Sequence, residues 1–174
     1  MKYTIKEAAQ ILERTPFVLR TLLAGLADGW TMSNEGLDTF SPYDVLGHLI
    51  HGEKTDWVTR AKIILTFGVE KPFTPWDRFA QYEESKGKTL EQLLDEFEAV
   101  RKENMQWFNG LNLSEADLDK QGMHPKLGEV TLRNLLSTWV VHDLTHIAQI
   151  TRVMAKQYKE EMGLWPEFFR ILSF

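Results

Sequence analysis

Two histidines, His142 and His146, lie four positions apart in the segment TWVVHDLTHIAQI, among tryptophan, valine, leucine and isoleucine residues. On a helix this spacing stacks the two imidazoles on one face, where both can reach a single metal ion. Two imidazoles buried without partners cost free energy through desolvation, which favours a shared ion. The alternative interpretation is a pair of core histidines that are held by hydrogen bonds.

A metal centre of this kind requires at least one more ligand, and the chain contains no cysteine to supply it. The segment VLGHLIHGEKTDW offers two further histidines, His48 and His51. His48 shares a helical face with Val45 and Gly52, and the glycine leaves room beside the imidazole. Spacing alone does not decide between the two histidines, so both are candidates for the third ligand.

Two polar residues near these histidines are candidates for catalytic roles. Asp56 lies two helical turns after His48, where its carboxylate can hydrogen-bond an imidazole or a water at the metal. Gln149 lies one turn after His146 and can bond a ligand or line the pocket. The competing interpretations are a solvated helix charge for Asp56 and an ordinary interhelical hydrogen bond for Gln149.

Two other acidic residues are interpreted as structural. Glu53 lies about 140° around an ideal helix from His48, so it is expected to act as an interhelical partner or to support a ligand from behind. Asp143 adjoins His142 and therefore points away from the histidine face.

The elements that must position these residues are helical. Apolar residues recur at spacings of three and four in four blocks, which span residues 4–26, 41–67, 89–110 and 131–158. Pro16 interrupts the first block, Ser41 caps the second and Thr89 caps the third. No convincing strand pattern occurs. The sequence predicts an all-α fold, a four-helix bundle with up-down packing and long connections, as one domain over residues 1–174.

Three segments outside the blocks carry expectations of their own. The segment FTPWDRF, in a long loop, can cover the pocket entrance. His124 falls in MHPKLG, interpreted as a loop in which it packs or lines the mouth of the site. The aromatic tail GLWPEFFRILSF is expected to pack across the bundle or against a second subunit. With an extra apolar face on the last helix, the tail predicts a homodimer.

Composition argues against several classes of protein. The 174 residues include ten phenylalanines and six tryptophans, enough for a sizeable core. A formal net charge of -5 without a basic cluster argues against a nucleic-acid partner. No apolar run approaches the ~18 residues of a membrane span, and the first ten residues contain no secretory signal. Because cysteine is absent, disulfides and thiolate sites are excluded, and a cytoplasmic location is expected.

Three segments in order give the chain its likeness to a known family: SPYDVLGHLIHGE, MHPKLGEVTLRNLL and WVVHDLTHIAQITRV, preceded by ILERTP. With these the sequence resembles the DinB/YfiT-like family of metal-dependent four-helix-bundle proteins over most of its length. The resemblance implies a three-histidine metal site with His48, His142 and His146 as ligands. It selects His48 over His51, because His48 precedes a leucine and lies five positions before Glu53.

The resemblance also implies a reaction class. One divalent ion per chain is expected, with zinc or nickel favoured and iron or manganese compatible with imidazole ligands. Three imidazoles leave coordination positions open for water or a small-molecule substrate. Such an ion can activate water or a thiolate, and DinB-like relatives include thiol-dependent transferases and isomerases. We therefore expect a hydrolase or a transferase that uses a low-molecular-weight thiol. The alternative is a non-catalytic, metal-stabilised and stress-associated binding or scaffold protein.

Overall fold

The first bundle helix is divided at a proline. In the computed structural model, which describes residues 2–173, helix α1 (Ile5–Leu12) is followed directly by α2 (Thr15–Leu23). Pro16 lies in the first turn of α2, where its missing N–H removes no helical hydrogen bond. The predicted interruption at this proline is therefore confirmed.

The second bundle helix begins at a reciprocal cap and breaks in its middle. After the short helix α3 (Asp28–Thr31), the Ser41 hydroxyl accepts from the Asp44 backbone and starts α4 (Pro42–Thr55). Helix α5 (Trp57–Phe67) follows after Asp56, which separates the two helices and has φ and ψ of -111° and -79°. The apolar pattern predicted one helix over residues 41–67, and this prediction is wrong because the segment forms two helices. At the end of α4 the Thr55 hydroxyl donates to the His51 carbonyl.

The remaining long helices also begin at capping residues, of which Thr89 was predicted. After α6 (Gln81–Ser85), Thr89 and Gln92 form a capping box that starts α7 (Leu90–Asn109). Ser114 caps the single turn α8 (Glu115–Leu118), and Thr131 caps α9 (Leu132–Lys156). The units α1–α2, α4–α5, α7 and α9 are the four members of the bundle, which confirms the predicted four-helix fold.

A short hairpin precedes the last helix. Strand β1 (Gln121–His124) pairs antiparallel with β2 (Gly128–Thr131). The sequence interpretation as a loop without strands is wrong at this point, because a pair of four-residue strands is too short to show an alternating pattern. The turn is fixed by His124, whose Nδ1 accepts from the backbone N–H groups of Lys126 and Leu127.

The core consists of two apolar clusters with a polar layer between them. One cluster contains Trp139 and is built mainly from α1, α5, α7 and α9. The other contains Phe97 and is built mainly from α2, α4, α7 and α9. The buried or half-buried polar side chains that fall between the clusters are those of His48, His51, Glu53, Asp56, Arg101, His142, Asp143 and His146. The polar layer is therefore formed by α4, α7 and α9 together with Asp56.

The C-terminal tail packs only in part. Leu172 is buried against α9, but Leu164, Trp165 and Phe168 are 91%, 66% and 69% exposed. The last residue of the tail, Phe174, lies outside the described residues, as does Met1 at the other end. Among residues 2–173, none of the helices has the length and hydropathy needed to cross a lipid bilayer.

Candidate metal centre

Helices α4 and α9 bring three imidazoles together in the polar layer. The Nε2 atom of His142 lies 3.2 Å from Nε2 of His48 and 3.1 Å from Nε2 of His146. Within residues 2–173, these three side chains are the group whose histidine or carboxylate ligand atoms all lie within 4.8 Å of one another. The three residues that the resemblance selected are thus adjacent in space, although His48 and His142 are 94 positions apart in sequence.

His51, the competing third ligand, is directed elsewhere. Its Nδ1 lies 2.9 Å from a carboxylate oxygen of Glu84 on α6. Its ring packs on Trp76, with the ring centroids 5.3 Å apart. His51 therefore fixes the 71–88 segment to α4 and does not join the cluster.

The three ring nitrogens have a donor set that suits a cation. An imidazole nitrogen presents one in-plane position, either a proton or a lone pair, so Nε2 of His142 cannot form two well-directed hydrogen bonds. Two nitrogens that bind one zinc ion tetrahedrally lie about 3.3 Å apart. The observed separations of 3.1 and 3.2 Å are close to that value, and a shared divalent ion would accept all three lone pairs.

Gln149 orients one of the rings. Nδ1 of His146 donates to Oε1 of Gln149 at 2.8 Å, which leaves the lone pair on Nε2, the atom that faces the other two histidines. Nδ1 of His142 is buried and has no hydrogen-bond partner among the described residues. The predicted position of Gln149 beside a ligand is observed, and its catalytic role stays a prediction.

All three imidazoles are held in the neutral form. Burial lowers the pKa of His48 to about 4, with His146, His51 and the Arg78 guanidinium acting in the same direction and the Arg78 backbone opposing them. Burial and the two neighbouring histidines lower the pKa of His142 to about 2. Burial also lowers the pKa of His146, against the hydrogen bond with Gln149. Neutral imidazole is the form that binds metal ions.

The metal-free protein is expected to lose stability as the pH falls from 7 to 5. Unfolded histidines take up a proton near pH 6.5, whereas folded His48 and His142 have pKa values of about 4 and about 2. The unfolded histidines therefore bind more protons in this interval, which lowers the free energy of unfolding by up to about 1.4 kcal/mol per pH unit for each ring. Folded Asp56, whose pKa is raised to about 6 by burial, takes up one proton in the same interval and offsets part of this loss. Urea denaturation in EDTA measures this slope. His142→Asn should have a smaller slope, and equal slopes would contradict the expectation.

Loss of the Gln149 acceptor is expected to weaken metal binding roughly 10- to 100-fold, because outer hydrogen bonds fix the tautomer and orientation of a ligand histidine. Gln149→Leu removes the acceptor oxygen at similar size, and Gln149→Glu retains one. Competition with a chelating indicator measures the affinity for zinc. Gln106→Leu, at an exposed position on α7, is the matched control. Equal affinities of Gln149→Leu and Gln106→Leu would show that the hydrogen bond has no role.

A buried ionic network lies beside the cluster. The Arg101 guanidinium donates to both carboxylate oxygens of Asp143, at 2.6 and 3.0 Å, and to Glu53 at 2.8 Å. Glu53 also accepts from Trp139 Nε1 and from the Asn104 amide. The structural interpretation of Glu53 and Asp143 agrees with these contacts. Arg101 itself was missed, although its position on the apolar stripe of α7, between Phe97 and Met105, is a readable signal.

Asp56 and His124 line a separate cleft of about 160 Å³ on the other side of Trp57. Asp56 Oδ1 lies 2.5 Å from Arg60 Nε, and burial raises the pKa of Asp56 to about 6, against the effects of Arg60 and His51. Because α4 ends at Thr55, Asp56 does not continue the helical face of His48. Asp56 was expected beside the three imidazoles, but its described contacts lie elsewhere. His124 is likewise absent from the lining of the cavity beside the imidazoles.

The cluster opens into a cavity of about 290 Å³. His48, His146 and Gln149 form one side of it. The cavity is also lined by Arg152 of α9 and by residues of two loops: Glu35, Asp38, Thr39, Phe40 and Arg78. Trp76 packs edge-on against His48, with ring centroids 5.0 Å apart. The predicted cover by FTPWDRF, residues 73–79, is thus consistent with the positions of Trp76 and Arg78. The contribution of residues 35–40 was missed, since a polar loop has no periodic signal.

A comparison with models of protein families matches residues 11–150 to the DinB superfamily. The chain belongs to the DinB superfamily. The matched residues contain all three clustered histidines. They also contain the whole of α2, α4, α5 and α7, and the match ends within α9. Membership confirms the family that the three sequence segments indicated.

Among solved structures, this DinB superfamily member is similar to YfiT from Bacillus subtilis, described as a probable metal-dependent hydrolase with an unusual four-helix bundle topology. The TM-score is 0.74 at 23% sequence identity, and the alignment covers 94% of this chain and 90% of YfiT. The likeness establishes the shared fold. A comparison with curated proteins finds no match.

Proposed function

We propose that the protein is a divalent-metal-dependent enzyme that acts on a small organic substrate, with hydrolysis as the favoured reaction. The observation that carries the proposal is the convergence of three neutral imidazole nitrogens, 3.1 and 3.2 Å apart, beside an open cavity. A structural metal site is usually closed by four protein ligands, whereas a catalytic site keeps a position open. The description of YfiT as a probable metal-dependent hydrolase supports the same reaction class.

The residues of this chain have distinct roles in the proposal. His48, His142 and His146 would hold the ion, which supplies Lewis acidity toward a water, a thiol or a substrate oxygen. Gln149 keeps the Nε2 lone pair of His146 directed at the ion through its own hydrogen bond. Trp76 and Phe40 pack against His48 and limit the access of bulk water to that ligand.

A thiol is the second candidate nucleophile, and one observation favours it. Of the two carboxylates that line the cavity, Glu35 is bound to Arg152 at 2.7 and 2.8 Å. Asp38 forms no ion pair among the described residues, and neither carboxylate hydrogen-bonds an imidazole of the cluster. Without a general base beside the nucleophile, a thiol is the better candidate, because it ionises near pH 8.5 and loses its proton more readily than water. A thiol-dependent transfer reaction is therefore the alternative activity.

Metal content and turnover test the proposal together. Untagged protein is purified without added metal, analysed by elemental mass spectrometry, and then reloaded with zinc, nickel, iron or manganese. We expect about one ion per chain and activity toward esters, amides or thiol-acceptor pairs that disappears in EDTA and returns with one metal. One ion per chain without any turnover, together with a large drop in melting temperature on chelation, would favour the scaffold alternative. No uptake of metal would reject both.

Dimerisation is part of the proposal. Val141 and Leu144 on α9 are 59% and 47% exposed, and the tail presents Leu164, Trp165 and Phe168. Exposed apolar groups of this size are typical of contact surfaces between subunits. Light scattering on the purified protein distinguishes a homodimer from a monomer. We also propose a cytoplasmic location, on the basis of the absence of cysteine.

A further inference from the structure

The charges in the cavity beside the three histidines are unequally engaged. Glu35 accepts two hydrogen bonds from Arg152, at 2.7 and 2.8 Å, and also pairs with Lys156 at 3.1 Å, so its negative charge is fully engaged. Arg78 lies in the segment between α5 and α6 and lines the same cavity as His48 and His146. Its guanidinium stacks on the Phe79 ring, 4.5 Å from the ring centroid, and forms no ion pair with any described carboxylate. Arg78 is therefore an exposed positive charge that lines this cavity and has no anionic partner within residues 2–173.

The position of Arg78 relates it to the proposed reaction centre. Trp76, two residues earlier in the same segment, packs against the His48 ring with the ring centroids 5.0 Å apart, and Arg78 lines the same cavity as that ring. Asp38, which also lines the cavity, forms no ion pair among the described residues. A planar guanidinium that is stacked on an aromatic ring keeps its edge free for the two oxygens of a carboxylate.

We propose that Arg78 binds a carboxylate group of the substrate, so that the substrate class is small organic acids whose reacting group reaches the three-histidine centre. The inference rests on the proposed function, because it assigns the two ends of one substrate to Arg78 and to the metal centre. A cavity of about 290 Å³ accommodates a short-chain acid with groups at both ends. Arg78 would orient the substrate and would take no part in bond breaking.

Two hydroxamates of equal chain length test this assignment without turnover. The protein is loaded with cobalt(II), whose visible absorption reports a change in coordination. Succinate monohydroxamate carries a terminal carboxylate, and butyrohydroxamate carries a methyl group in its place. We expect the carboxylated probe to bind roughly fivefold or more tightly than the neutral probe, since an Arg–carboxylate contact adds a charge-assisted hydrogen bond. Arg78→Gln should reduce this ratio to about one, with little change for butyrohydroxamate.

Arg170→Gln is the matched control, because Arg170 is exposed on the tail and does not line the cavity. It should retain the preference of the parent protein. Equal binding of the two probes to the parent, or an unchanged ratio in Arg78→Gln, would overturn the role of Arg78 while leaving the metal centre intact. A parent protein that binds no cobalt would overturn both the proposed function and this inference.

Discussion

Replacing His142 with alanine is expected to lower the affinity for zinc roughly 100-fold or more and to abolish metal-dependent activity. His142 is the central member of the cluster, because its Nε2 atom is the one that approaches both other Nε2 atoms. Removing it leaves two ligands, fewer than the three that an open catalytic zinc site uses. Metal content after dialysis and competition with a chelating indicator measure the loss.

Two histidine controls make this result specific. His51→Ala removes the residue that competed for the role of third ligand, and His124→Ala removes a histidine of the separate cleft. Both should retain about one ion per chain, and circular dichroism should show a folded helical protein in every case. Retention of metal by His142→Ala, or loss of metal in His51→Ala with retention in His48→Ala, would reject the proposed ligand set.

Arg101→Met is expected to destabilise the metal-free protein by about 3 to 5 kcal/mol. Arg101 is 1% exposed and satisfies Asp143, Glu53 and the Leu12 carbonyl. Methionine fills a similar volume, but it leaves two buried carboxylates without their cation, which is far more costly than losing the pair as a whole. Urea denaturation in EDTA measures the change in the free energy of unfolding.

A second variant separates the charge effect from a packing effect. Adding Glu53→Gln and Asp143→Asn to Arg101→Met removes the uncompensated negative charges with almost no change in shape. The triple variant should therefore regain part of the lost stability. A triple variant that is less stable than Arg101→Met, or a single variant that loses under 1 kcal/mol, would contradict a network held by charge compensation.

The features that the sequence predicted correctly are those that repeat along the chain or depend on neighbouring residues. Helix α7 begins at the predicted cap Thr89, and α9 begins directly after Thr131, where the fourth apolar block was predicted to start. The proximity of His142 and His146 follows from one turn of a helix. Their approach to His48 depends on the packing of α4 against α9, and only the resemblance to a family, not the spacing, selected this residue over His51.

The features that the sequence did not predict depend on tertiary contacts. The break at Asp56 has no proline or glycine to mark it, and it moves that carboxylate from the expected face to a salt bridge with Arg60. Arg78 and the 35–40 loop reach the cavity through chain paths without periodicity. The pairing of Arg101 with Glu53 and Asp143 joins three bundle helices, and a single sequence contains no record of such contacts.

The polar layer between the two apolar clusters has a consequence for ligand binding. Asp143 is bound to Arg101 through two hydrogen bonds, and it is the immediate neighbour of His142 in the chain. Sliding α9 along its axis by one turn would separate these charges, so the helix has a single favourable register. The imidazoles are thereby preorganised before any ion arrives, and binding orders few additional side chains. The small entropy loss that follows favours tight and rapid capture of a metal ion.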